Sequence, residues 1–156
     1  MSEFEGPAED AAPEDAPPWA ARKLLRAARS GTLATQTGGQ PFASLVTPAT
    51  APDLSVLLLL STLSEHTRHL HAEPRCALLV AGAPDGPNPQ TAPRLTVTGI
   101  AEPVPAAEAD ALKGRWVALH PYAAFYADFD DFWLWQVRPM AALYVGGFAR
   151  AHRLAR

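Results

Sequence analysis

The chain has 156 residues, a length that suits one domain with its own hydrophobic core. Its net charge of −3 hides a division: residues 1–17 carry six acidic and no basic side chains, whereas the remainder has 13 Lys or Arg against 10 Asp or Glu. A mildly basic body without a basic stripe argues against nucleic-acid binding. The absence of an apolar run near ~20 residues argues against a membrane-spanning helix.

Cysteine usage bears on the compartment of the protein. Cys76 is the single cysteine, so no internal disulfide can form, and the N-terminus lacks a basic segment followed by an apolar one. Both observations favour the cytoplasm. Because Cys76 opens the apolar run Cys76-Ala77-Leu78-Leu79-Val80, we interpret it as a small buried side chain and not as a nucleophile.

The chain begins with a segment unlike the rest. Residues 1–17 are rich in Ala, Pro and acids and poor in large apolar groups, which predicts a disordered tail before a folded domain at 18–156. Apolar and basic residues then alternate at helical spacing from Trp19 to Arg29. This pattern predicts a short amphipathic helix, with Pro17-Pro18 at its start and Gly31 beyond its end.

A hairpin and a buried strand come next. Residues 31–36 and 41–47 read as two strands joined by a tight turn, since Gly38-Gly39 allows positive φ at both central positions. Val56 to Leu60 is apolar at every position, which predicts a strand buried on both faces.

The buried strand leads into a helix start rich in hydroxyl groups, predicted over residues 63–72. Thr62 and Glu65 have the spacing of a capping box, and the N–H groups of a helix N-terminus favour anions. Hydroxyl donors and one guanidinium at this point suit a phosphate: Ser61, Ser64, Thr67 and Arg68. An ordinary capped helix explains the same residues.

The second half of the chain predicts more strands and a third helix. In chain order these are strands at 75–81 and 94–100, a helix at 106–119, a strand at 132–137, its hairpin partner at 142–145 and a last strand at 148–154. Short turns between early strands indicate a largely antiparallel, closed sheet. The predicted class is mainly β (α+β), with about six or seven strands and three helices.

Several side chains are weaker candidates for chemistry. His66 and His69 could share a metal on one helix face, but no third ligand is evident beside them and His71 points elsewhere, so no metal site is predicted. Asp131 lies at a strand start and is the better functional candidate among three nearby aspartates. The alternating Trp133 and Trp135 could stack a flat cofactor or pack a core.

An ordered set of segments resembles one family. The set comprises Gly31-Thr32-Leu33-Ala34-Thr35, Gly39-x-Pro41-x-x-Ser44, Leu58-Leu59-Leu60-Ser61-x-Leu63-x-x-His66-Thr67-Arg68-x-Leu70, Pro74-Arg75, Arg94-Leu95-Thr96-Val97-x-Gly99, His120-Pro121, Asp131-Phe132 and Tyr144-Val145-Gly146-Gly147-Phe148-Ala149-x-Ala151. It resembles the pyridoxamine 5′-phosphate oxidase-like FMN-binding split barrels, in the branch related to haem-utilisation proteins. The similarity covers residues ~20 to ~154.

The resemblance implies a six-stranded split barrel that forms a homodimer, with noncovalent FMN in two clefts at the interface. By this resemblance Ser44, Leu45 and Val46 would lie along the isoalloxazine ring. The implied cofactor-binding set is completed by Ser61, Thr62, His66, Thr67, Arg68 and, from a neighbouring strand or subunit, Arg94. The family usually has Asn where this chain has His69, and haem-handling relatives use a C-terminal histidine that has no match here.

Three hypotheses follow from the resemblance. The first is a flavin-dependent oxidoreductase of unknown small-molecule substrate, in which FMN carries the redox chemistry. The second is a haem-binding or haem-degrading protein on the same fold, with His120 or His152 as candidate ligands. The third is a flavin-binding dimer without turnover.

Overall fold

The structure is a computed structural model that describes residues 16–147 and 150–155. It contains three α-helices: α1 (Pro17–Ala27), α2 (Glu65–Ala72) and α3 (Ala106–Leu119). The strands are β1 (Gly31–Thr37), β2 (Gln40–Val46), β3 (Ala49–Thr50), β4 (Val56–Ser61), β5 (Arg75–Ala81), β6 (Arg94–Pro103), β7 (Phe132–Val145) and β8 (Ala151–Ala155). Two 3₁₀ turns lie at Pro89–Thr91 and Pro121–Phe125.

All eight strands belong to one antiparallel sheet. The order of hydrogen-bonded neighbours is β2-β1-β5-β6-β7-β4-β3, and β8 pairs with β7 off this path. The predicted antiparallel α+β class is confirmed. The described residues form eight strands, against about six or seven predicted and six implied by the resemblance: the two-residue β3 is not predicted, and β7 joins the segments predicted as separate strands at 132–137 and 142–145.

The first hairpin forms as its sequence predicts. Gly38 and Gly39 have φ of 53° and 80°, so both lie in the left-handed region that a two-residue turn of this kind requires. The turn sets Thr37 opposite Gln40 and therefore Leu33 opposite Ser44. This register decides which β2 side chains face the helix α2.

Strand β4 contributes to two hydrophobic cores, as a strand apolar on both faces should. Val56, Leu58 and Leu60 pack in the core that α1 covers. Leu57 and Leu59 pack in a second core beneath α3, with Trp116 and Leu134. The prediction that both faces of this strand are buried is confirmed.

The hairpin predicted within residues 132–145 is wrong, since β7 runs unbroken for 14 residues. One side of β7 pairs with β4 up to Val137 and with β8 from Ala141, and no strand of the described residues pairs with that side between them. Pro139, which has no N–H to donate, lies in this gap and faces a register shift at Thr98/Gly99 of β6. The N–H group that Pro139 lacks therefore removes little hydrogen bonding from the sheet.

The helices agree with prediction within two residues at each end. The first helix begins at Pro17, inside the predicted tail, because proline is favoured at the first helical position. The rest of that tail, residues 1–15, lies outside the described residues, as do Phe148 and Ala149 of the predicted last strand.

Candidate functional site

The turn between β4 and α2 is built differently from the predicted capping box. The helix is capped at Ser64 without a side-chain hydrogen bond, and Thr62 donates its backbone N–H to the Asp131 carbonyl at 2.7 Å. The Ser61 hydroxyl donates to Asp131 Oδ2 at 2.8 Å and accepts from the Leu63 N–H at 3.1 Å. The prediction of a capping box is therefore wrong. Asp131, the residue that precedes β7, holds the turn instead.

Two histidines on α2 reach across to the first hairpin. His66 Nδ1 lies 3.0 Å from Ser44 Oγ on β2, and His69 Nδ1 lies 2.9 Å from Thr35 Oγ1 on β1. The ring of His69 also contacts Phe42 edge-on, with centroids 5.1 Å apart. The shared face predicted for His66 and His69 exists, and each imidazole is hydrogen-bonded to a separate hydroxyl.

The two histidines differ in exposure and in their neighbours. His69 is buried, and its Nε2 lies 3.7 Å from Glu65 Oε2. His66 is half-buried, and this burial, together with the neighbouring His69, lowers the pKa of His66 below 6.5. His66 is thus a neutral imidazole at pH 7, with one nitrogen held by Ser44.

The other predicted cofactor contacts of this region divide into exposed and buried groups. Arg68 is exposed, and its guanidinium contacts Glu65 Oε1 at 3.2 Å and the Leu63 carbonyl at 3.1 Å. Thr67 is buried and donates its hydroxyl to the Ser61 carbonyl at 2.6 Å, so it holds the turn. Leu45 is 77% exposed.

Two predicted residues stand apart from this group. The side chain of Val46 packs in the core that α1 covers. Arg94 pairs with Ala81, at the far end of β5 from α2, about six residues or ~20 Å along the strand. Its guanidinium is bonded to the Gln90 and Ala92 carbonyls. Within one protomer the structure therefore does not bring Arg94 to the α2 site.

Helix α3 holds the segment after β2 through contacts that the sequence patterns did not predict. Trp116 Nε1 donates to the Thr47 carbonyl at 2.8 Å, and Arg115 Nε donates to the Thr50 carbonyl at 2.6 Å. His120, also buried, has Nε2 2.9 Å from the Pro48 carbonyl and Nδ1 3.2 Å from the Tyr122 hydroxyl. The only sequence signal for these contacts was His120-Pro121 in the family pattern.

The α2 site lies on the surface of the protomer. One groove of about 180 Å³ lies between α1 and β6–β8, and a more open one lies against Thr35, Cys76 and Gly99. Neither is lined by Ser44, Ser61, His66 or Arg68. A ligand bound at α2 therefore needs a second wall to bury it to the extent usual for cofactors.

Membrane-spanning helices and clusters of metal ligands would indicate broader classes of function, and the described residues contain neither. No helix among them is both long and apolar enough to cross a membrane. Within the same residues, no three His, Cys, Asp or Glu side chains converge on a point that could hold a metal ion.

Comparison with known proteins supports the fold and identifies proteins similar to this chain. The chain is 35% identical over 133 residues to "Non-canonical heme oxygenase HOZ, chloroplastic" of Arabidopsis thaliana, a match that covers 83% of this chain and 40% of that protein. A heme-binding protein of Mycobacterium smegmatis superposes with a TM-score of 0.81 at 30% identity, covering 86% of this chain and 56% of that one. The chain thus spans about half the length of these relatives.

A more distant structure shares the fold alone. A FAD-binding protein of Mesorhizobium loti superposes with a TM-score of 0.66 at 17% identity, covering 79% of this chain and 89% of that one. These neighbours have the split-barrel fold that the sequence resembles. The family model described as "CREG, beta-barrel" matches residues 12–155. The antiparallel sheet, the helix α2 against its first hairpin and this match together show that the chain belongs to the CREG beta-barrel family.

Proposed function

We propose that the protein binds haem at the α2 site and takes part in haem breakdown. The observation that carries the proposal is the set of side chains around the β4–α2 turn: a cation, a half-buried imidazole and two large exposed apolar groups. Arg68 and His66 lie on α2 and Leu63 lies in the turn before it, while Trp133 lies on β7 next to Phe132, the partner of Ser61; Leu63 and Trp133 are 74% and 49% exposed. A flat apolar ring with carboxylate side groups suits such a surface.

The names of the more similar relatives support haem over flavin. The relatives at 35% and 30% identity are a heme oxygenase and a heme-binding protein by name, whereas the FAD-binding protein is similar in fold alone. Haem supplies an iron centre that can bind dioxygen and accept electrons. The chain's own residues would hold the ring, pair with its carboxylates and exclude water.

The proposed assembly is a homodimer, because the site needs a second wall. The face of the sheet opposite the core presents small and apolar residues across five strands. One cross-strand row consists of Leu45, Thr32, Leu79, Thr96 and Leu143. An exposed apolar sheet face of this kind is typical of an interface. A second copy on this face would lie beside the exposed Leu45 next to Ser44.

Absorbance titration tests haem binding. We expect haemin to give a saturable Soret shift at one equivalent per protomer, and ascorbate under air to bleach that band if breakdown occurs. The control is His152→Ala, a histidine on the edge strand β8 far from α2 in the pairing order. A wild-type spectrum that equals that of free haemin would refute the proposal.

FMN is the second candidate for the same site. Ser64 caps α2 without a side-chain acceptor, so N–H groups of the first turn remain available to a phosphate beside Arg68. However, Ser61 and Thr67 use their hydroxyls within the turn, which weakens the predicted phosphate site. Flavin bands that survive desalting would favour this candidate, and reduction by NADH or NADPH would separate an oxidoreductase from a flavin-binding dimer without turnover.

A further inference from the structure

We propose that His66 is the side chain that ligates the haem iron, an inference that rests on the haem binding proposed above. Coordination would join the lone pair of His66 Nε2 to the iron, while Nδ1 stays hydrogen-bonded to Ser44 Oγ. The environment of His66 is that of a metal ligand, and the other histidines are unsuited to the role.

The hydrogen bonding of the two ring nitrogens of His66 is that of a metal ligand. A histidine that binds a metal through one nitrogen usually has the other nitrogen hydrogen-bonded, which fixes the tautomer and the ring. His66 Nδ1 is 3.0 Å from Ser44 Oγ, and Nε2 has no hydrogen bond among the described residues. With Nδ1–H donated to Ser44, Nε2 carries the lone pair and points away from the hairpin.

Both residues of the Ser44–His66 pair lie on elements that other contacts hold in place. Ser44 lies in the middle of β2, where the turn register sets it opposite Leu33. Helix α2 is anchored at its start by the Thr67–Ser61 bond and along its length by the His69–Thr35 bond. His66 is therefore held from two elements before any ligand arrives, which lowers the entropy cost of binding.

The buried histidines are excluded by their hydrogen bonds. His69 is 7% exposed, with Nδ1 on Thr35 and Nε2 beside Glu65. His120 is 1% exposed, with both nitrogens within hydrogen-bond distance of a carbonyl and a hydroxyl. Neither ring can reach an iron without losing these bonds and moving, so the hypothesis that His120 is a ligand is disfavoured.

The exposed histidines lack an oriented ring on the site. His71 lies five residues further along α2, so it faces another side of the helix, where its ring contacts Trp135 edge-on at 5.0 Å. His152 lies on the edge strand β8 opposite Tyr144.

Cys76 is also unsuited as a ligand, because burial raises the pKa of its thiol to about 11 and leaves it protonated at neutral pH.

The test is a set of haem spectra for variants at His66 and at a matched histidine on the same helix. We expect His71→Ala to keep the wild-type Soret band and electron paramagnetic resonance signal. We expect His66→Ala to change both and to recover them when imidazole is added, because free imidazole can occupy the vacated position. Far-UV circular dichroism of both variants checks the fold.

A ligand exchange keeps the inference testable if His66→Ala folds poorly. His66→Met should keep a side chain of similar size and give the spectrum of thioether coordination in place of imidazole. If wild-type protein does not bind haemin, haem binding itself fails. If wild-type binds and the His66 variants either keep its spectrum or lose haem without rescue by imidazole, the ligand assignment alone is wrong.

Discussion

The hydrogen bond between Ser44 and His66 joins two segments that lie 22 residues apart in the chain. It matters because His66 is half-buried and its nearest charged neighbours are all on α2, namely Glu65, Arg68 and the titratable His69. The hairpin strands facing it carry no ionisable side chain at all. The protonation of His66 is therefore governed by burial and by its own helix.

We predict that this histidine makes folding stability fall in mild acid. An unfolded chain protonates a histidine near pH 6.5, whereas folded His66 does so only at a lower pH. Between these two values the unfolded state binds more protons, so the free energy of unfolding decreases as the pH falls through this window. Above about pH 6.5, His66 is neutral in both the folded and the unfolded state, so it does not change how the free energy of unfolding depends on pH.

Urea unfolding of wild-type protein and of His66→Asn, across the range from about pH 8 to about pH 5, measures this contribution. The variant should show a shallower loss of stability below pH 6.5 than wild type. Equal slopes for wild type and His66→Asn would contradict the prediction.

Cys76 gives a second prediction for a single residue. Its thiol packs against the inner core of the sheet, and the rise in pKa from 9.0 to about 11 lowers the thiolate fraction at neutral pH by about a hundredfold. Iodoacetamide should therefore label the native protein far more slowly than the urea-unfolded protein. Comparable labelling rates in the two states would show that the thiol is accessible and ionised in the fold.

At the scale of elements, the register between β6 and β7 shifts by one residue, because Met140 of β7 lies between the two residues that pair with Thr98 and Gly99. The register shift at Thr98/Gly99 sets Gly99 against the Arg138 and Pro139 backbone. A Cβ at Gly99 would collide with the Arg138 carbonyl and approach Val137 Cγ1 to 2.9 Å. Only a residue without a side chain fits between these strands.

We therefore predict that Gly99→Ala lowers the free energy of unfolding by about 1–3 kcal/mol, the usual cost of overpacking a tight site. The matched control is Gly114→Ala in α3, where a Cβ would meet nothing within 4 Å. That change should raise stability by about 0.5–1 kcal/mol, because alanine favours the helix. Chemical denaturation of both variants checks the pair, and equal effects would refute the packing argument.

At the scale of the whole molecule, the outer sheet face is the surface that would be covered in the proposed homodimer. Leu79 is 42% exposed and lies between Thr32 and Thr96 in the centre of the apolar row. In the proposed dimer this side chain would be buried against the second copy, where an unpaired carboxylate would cost several kcal/mol. Leu79→Glu should therefore weaken the dimer at least about a hundredfold.

Size-exclusion chromatography with light scattering measures this effect. Ala111→Glu, on the exposed side of α3, adds the same charge elsewhere and should leave the mass unchanged. A monomeric wild type would contradict the dimer, and a dimeric Leu79→Glu would place the interface on another face.

Local rules in the sequence determined the elements. The Gly38-Gly39 turn, the doubly buried β4 and the helix α3 each follow from patterns within one short segment, where backbone geometry and apolar spacing leave few alternatives. The hydroxyl-rich start of α2 was also visible in the sequence. The assignment of each hydroxyl was not, because Thr62 and Glu65 can form a capping box locally but Asp131 from a distant strand takes the turn instead.

The tertiary structure alone decided which groups meet. Strand pairing brings Ser44 to His66, places Arg94 opposite Ala81 at the end of β5 farther from α2, and makes β7 one strand despite its central Pro139. These outcomes depend on register and packing between segments far apart in the chain, which no local pattern encodes. The sequence by itself thus determined the class of fold and the helix that bears the site, while the fold selected the one half-exposed, oriented histidine on it.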